Sequence, residues 1–159
     1  MTVVSGLDLS RLAPEDAVAA LRSYPRRFRE VLTSVEPQDL PQEAVEHADH
    51  VARSLALLGE ALRLVLVQDQ PAVHPAVADD SAREWAHDGT SSVDDVLAFL
   101  TMECNALADA IANVASTAWD RTGTVAGSGK RITALDIVRE AVRTGSEHLR
   151  AAERAVSSR

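Results

Sequence analysis

Between Gln42 and Val67 the chain sets Ala44, Ala48, Val51, Leu55, Leu58, Leu62 and Val65 four and three residues apart in strict alternation. Residues so spaced fall on one face only in an α-helix, so this stretch must bury an apolar stripe more than three turns long. The rhythm recurs three times. Ala17, Leu21, Tyr24, Phe28, Val31 and Val35 carry it from Pro14 to about Ser34, straight through Pro25, which implies one kinked helix or two collinear ones. Val93, Leu97, Leu100, Cys104, Leu107, Ile111 and Val114 carry it from Ser91 or Ser92, each with an aspartate three residues on as a cap, to about Ala118. Val138, Val142, Gly145, Leu149, Ala152 and Val156 carry it from about Thr133 to Val156.

Four amphipathic helices of similar length have nothing to bury their stripes against except one another. No segment alternates apolar and polar residues long enough to predict a strand. The expectation is an all-α, antiparallel four-helix bundle, a single domain over 1–159, with a long connection between the second and third helices. At 159 residues the chain suffices for one core without staples.

Composition narrows the function classes. The net charge of −8 leaves no broad basic face for a polyanion, so nucleic acid is not an expected partner. No run of 18 apolar residues is present, and Met1 to Ser10 lacks the basic and apolar regions of a secretory signal, so no membrane partner and a cytoplasmic address are expected. The single cysteine, Cys104, lies on a helical seam, where a packed thiol is expected rather than a nucleophile. Arg26, Arg27 and Arg29 read as a solvated outer face.

The connections carry more information. Residues 68–90 hold Pro71, Pro75, Trp85, Gly89 and several aspartates, and a connection of that length in a bundle commonly covers a site. Residues 120–132 hold Gly123, Gly127, Gly129 and Lys130, but Thr124 stands where a phosphate loop needs glycine and Arg131 where it needs Ser or Thr. A plain turn is expected there. Trp85 and Trp119 flank connections and are weak candidates to line a pocket mouth.

The remaining chemistry is histidine. At 100° per residue, His47 falls about 50° from the apolar axis of its helix and His50 about 110°, at the edge, while Asp49 points about 140° from the neighbouring seam. On the last helix Ile137, Ala141, Thr144 and His148 share one row beside the apolar face. His47 and His148 therefore point into one core from different helices, as a metal site in a bundle requires. His74 and His87 lie in the long connection.

The order of these features resembles the DinB-like, or DinB/YfiT, family. The resemblance runs through Ser23-Tyr24-Pro25-Arg26-Arg27, His47-Ala48-Asp49-His50, Gln68-Asp69-Gln70-Pro71, Ala118-Trp119-Asp120-Arg121, Thr133-Ala134-Leu135 and Glu147-His148-Leu149-Arg150. It implies a bundle whose pocket holds nickel or zinc on three histidines, and a metal-dependent transferase that joins a low-molecular-weight thiol to a small electrophile. His47 matches the first ligand and His148 the third. The second position is Thr144, a poor ligand for such metals, with His50 as the candidate substitute. Two readings stand: a metal-poor or metal-free relative that binds a small ligand in the pocket or forms a homodimer through its helices, and the metal-dependent thiol transferase.

Overall fold

The computed structural model describes residues 8–83, 85 and 92–158. His87, Gly89 and Ser91 lie outside the described residues. Helices α1 (Pro14–Leu32), α2 (Gln42–Val67), α3 (Val93–Ala112) and α4 (Ala134–Ser157) form the bundle. Their starts follow local chemistry. Pro14 opens α1 with the Asp16 carboxylate accepting from the Ala13 N–H, and Ser92 caps α3 by accepting from the Asp95 N–H at 3.0 Å. Thr133 and Asp136 cap α4 reciprocally at 2.9 Å each way. Helix α1 runs through Pro25 as one element. Helix α3 stops at Ala112, earlier than its apolar rhythm suggested, because the chain turns at Asn113 and then forms a short 3-10 turn over Ser116–Ala118.

Chain direction follows from contacts at one end. Arg121, between α3 and α4, donates to the carbonyls of Val65 (2.9 Å) and Gln68 (2.8 Å), closing the C-terminus of α2. The Arg139 guanidinium, early in α4, reaches the Leu12 carbonyl just before α1. Helices α1 and α4 thus start where α2 and α3 end, an up-down-down-up bundle. Helix α1 packs on α3 and α4, and so does α2, while α1 and α2 lie on a diagonal. The expected antiparallel packing holds for α1 with α3 and for α2 with α4; α2 with α3, and α1 with α4, run parallel.

That layout explains the long connection. Because α2 and α3 are parallel, the chain leaving α2 must travel the length of the bundle before α3 can begin. It also builds a feature that periodicity did not reveal: a small sheet of β1 (Ala72–Val73), β2 (Thr122–Val125) and β3 (Arg131–Thr133), with β1 parallel and β3 antiparallel to β2. Strands of two to four residues are too short for an alternation pattern to register. The glycine segment is the hairpin turn between β2 and β3, with Gly127 (φ 89°) and Gly129 (φ 69°) in the left-handed region.

The core closes tightly where α1 meets α4. Tyr24, 1% exposed, donates its hydroxyl to the Val142 carbonyl at 2.9 Å and lies flat against Gly145. A Cβ at residue 145 would stand 2.3 Å from Tyr24 Cε2, so glycine is required by packing at a position that sequence counted only as part of a seam. Cys104 is fully buried, and burial pushes its thiol up to about 12, in keeping with a packing role.

Candidate metal centre

Near the start of α2 and late in α4, three imidazoles meet the returning connection. His50 is fully buried, His148 is 7% exposed, and His47 lies at the rim with its side chain 14% exposed. The helical-wheel angle placed His50 at the edge of the apolar face. It is buried because the connection covers a flank of α2 that the seam leaves open, and thirteen residues of this helix are buried, Asp49 among them. Asp49 pairs with Arg53 at 2.6 Å.

The connection contributes the residues that periodicity had no means of marking. Val73, Ala76 and Val77 anchor it in the core. Two successive 3-10 turns follow: the His74 ring nitrogen caps Pro75–Ala78 by accepting from the Ala76 N–H (3.0 Å), and the Asp79 carboxylate caps Asp80–Ala82 by accepting from the Ser81 N–H (3.1 Å). These turns set Asp80 against the histidines. Its carboxylate lies 3.2 Å from His50 Nε2 and 3.1 Å from His148 Nε2. His50, Asp80 and His148 each offer one donor atom, all within 4.8 Å of one another. The other nitrogen of His148, Nδ1, faces His47 Nδ1 at 2.8 Å. Trp85 stacks on His50 with ring centroids 3.9 Å apart and planes 7° apart, and its ring lies 5.3 Å from those of both His47 and His148.

Electrostatics fix the protonation pattern. Burial lowers the pKa of His148 despite the opposing pull of Asp80, and burial lowers that of His47 despite Glu43. Burial by itself would raise Asp80, but His148 and His50 beside it outweigh that and hold its carboxyl below the ordinary value. At neutral pH His47 and His148 are therefore neutral beside an ionised Asp80 carboxylate.

The residues read from the sequence are thus divided. His50 and His148 present nitrogens to a common point. His47 adjoins His148 through the opposite edge of that ring. Thr144, the position matching a third histidine, is fully buried and accepts a hydrogen bond from Arg83 Nη1 at 2.9 Å, so its hydroxyl already has a partner. Trp85 belongs to the site. Trp119 does not: it lines a cleft of about 580 Å³ with Pro14, Val18, Ile111 and Val114, and its carbonyl accepts from Leu135, thirteen residues and so about 20 Å before His148 along α4. Asp80 and Arg83 were missed, and the only sequence signal for either was an aspartate-bearing connection long enough to cross the bundle.

A solved structure from Bacillus subtilis, "YfiT", described as a probable metal-dependent hydrolase with an unusual four-helix bundle topology, superposes with a TM-score of 0.74 over 99% of this chain and 92% of that one, at 17% identity. The chain has the YfiT fold. This is the bundle that the DinB-like resemblance implied, realised here with a parallel α2–α3 pair and a crossover between them. No family model matches the chain, and no curated protein matches its sequence. No helix among the described residues is long and apolar enough to cross a membrane.

The donor set suits a divalent cation. Two imidazoles and a carboxylate are a ligand combination used by catalytic zinc and by other divalent transition metals, with positions left for water or substrate. Thr144 cannot complete a set with His47 and His148 as placed, since its hydroxyl is engaged by Arg83, although the Nδ1 atoms of the two histidines lie within the distance that a shared metal requires.

Proposed function

We propose that the chain binds a divalent metal, nickel or zinc, on His50, Asp80 and His148, and uses it to activate a small nucleophile against a small electrophile. The observation that carries this reading is the convergence of three donor atoms from α2, the crossover and α4 on one point. A cation bound there would lower the pKa of a coordinated water or thiol and so supply a nucleophile at neutral pH. Hydrolysis is the activity ascribed to YfiT; transfer of a low-molecular-weight thiol is what the sequence resemblance implies.

The chain's own residues do the rest. His148 must present Nε2 with its lone pair free, which puts its proton on Nδ1, where His47 Nδ1 accepts it at 2.8 Å. His47 is then a positioning residue that fixes the tautomer and plane of His148. The Trp85 indole roofs His50 and keeps water from one side, strengthening the electrostatic interactions beneath it.

A second reading is favoured by the same distances. With no cation, His50 and His148 can each donate Nε2–H to Asp80, and His47 can donate Nδ1–H to His148. The facing nitrogens and the carboxylate are then paired without a metal, in keeping with a metal-free relative that binds a small ligand. Elemental analysis of untagged protein from metal-supplemented medium decides between the two. About one nickel or zinc per chain, lost in both Asp80→Ala and His148→Ala, supports the metal reading, and metal-free protein sinks it. Turnover of a panel of small electrophiles with water alone, or with added thiols, then separates hydrolysis from thiol transfer.

A further inference from the structure

Arg83 is the most deeply buried cation of the crossover, with its side chain 2% exposed, and all five of its N–H donors have acceptors. Nε donates to the Ala76 carbonyl at 2.7 Å and Nη2 to the Val77 carbonyl at 3.0 Å, both on the crossover itself. Nη1 donates to Asp80 Oδ1 at 3.2 Å. The other two bonds reach across to α4: Nη1 to Thr144 Oγ1 at 2.9 Å and Nη2 to Glu140 Oε2 at 2.6 Å. A cation is kept in such surroundings only when every donor is matched, and a guanidinium matches five acceptors in a fixed plane where an ammonium cannot.

We propose that Arg83 is the positioning residue of the centre: it clamps the crossover to α4 through Thr144 and Glu140 and thereby delivers Asp80 as the third donor beside His50 and His148. The proposal rests on the metal reading above. It accounts for Thr144, whose hydroxyl serves as the acceptor for the clamp. It also explains how a segment joining two helices holds a carboxylate at hydrogen-bond distance from two imidazoles on different helices. Asp80 Oδ1 lies 3.2 Å from Arg83 Nη1 and from the Nε2 atoms of both His50 and His148, and Oδ2 lies 3.1 Å from His148 Nε2, so the guanidinium holds the same carboxylate that the two imidazoles face.

The test is a double-mutant cycle read by nickel and zinc affinity in calorimetric titration. Arg83→Met should weaken binding about 10- to 100-fold, the range for residues that orient a ligand. Asp80→Asn should weaken it at least as much, and the double variant should bind no more weakly than Asp80→Asn alone, because Arg83 acts through Asp80. Losses that multiply, or binding of Arg83→Met at the unmodified affinity, would overturn the proposal. Circular dichroism shows whether Arg83→Met folds. If it does not, Thr144→Val decides: weaker binding supports the clamp and unchanged affinity overturns it. Should the unmodified chain bind no metal, the metal reading fails, and the clamp is judged separately by acrylamide quenching of Trp85 in a Trp119→Phe background. Arg83→Met or Thr144→Val should raise the quenching constant by loosening the crossover over the histidines. An unchanged constant overturns the clamp.

Discussion

His47 and His148 face each other through their Nδ1 atoms at 2.8 Å, so a single proton must be shared between two rings on different helices. The pairing couples the tautomer of His148 to that of His47: a proton on His148 Nδ1 leaves the Nε2 edge, turned toward Asp80 and His50, free to bind a cation, and a proton on His47 Nδ1 makes that edge a donor to Asp80.

The first prediction separates ligand from orienting residue. His50→Ala, Asp80→Ala and His148→Ala should each abolish stoichiometric nickel or zinc binding. His47→Gln, which keeps a polar group at the rim, should weaken it about 10- to 100-fold without abolishing it. Equal and complete loss in all four variants, measured by titration against a chelator, would make His47 a ligand.

Acid stability follows from the shifts around the same residues. His47 and His148 are held below the ordinary imidazole value, so the native state binds fewer protons than the unfolded chain as pH falls below about 6.5. Their neutral forms stabilise the fold above that pH, and the contribution is lost as pH falls toward the folded values. Asp80, also lowered, acts in the same direction at more acid pH, below about 3.9. The melting temperature of metal-free protein should therefore decline from pH 7 to pH 5, and less steeply in His148→Gln. A flat profile would contradict the burial of these rings.

Packing makes a prediction far from the centre. Gly145→Ala would place a Cβ 2.3 Å from the Tyr24 ring, and relieving that clash should cost about 1–3 kcal/mol or more. Tyr24→Phe, which removes only the hydrogen bond to the Val142 carbonyl, should cost about 1 kcal/mol. Urea unfolding of both variants checks the order: Tyr24→Phe should be the milder.

At the alkaline end, Cys104 and Tyr24 each have the pKa pushed up to about 12, chiefly by burial. Both groups stay protonated in the fold while the unfolded chain ionises from about pH 8.5 to 10 upward, so stability falls across the window from there to about pH 12. Native protein at pH 8 should react with a thiol-specific disulfide reagent far more slowly than the same protein in denaturant. Fast native labelling would place the thiol at the surface.

The sequence by itself determined the helices. Apolar spacing of three and four gives α2 as Gln42–Val67, and Ser92 and Thr133 mark the starts of α3 and α4, because capping and amphipathicity are local properties written within a few residues. It also brought His148 and one flank of α2 to the same core. Tertiary structure alone decided the rest. Parallel packing of α2 on α3 obliges the connection to cross the bundle, and that crossing buries His50, lays Trp85 over it and supplies Asp80 and Arg83. Residues 72–83 carry no periodicity to read, and their positions follow from five hydrogen bonds of one guanidinium and a few apolar anchors, contacts that exist only once the helices have chosen their neighbours.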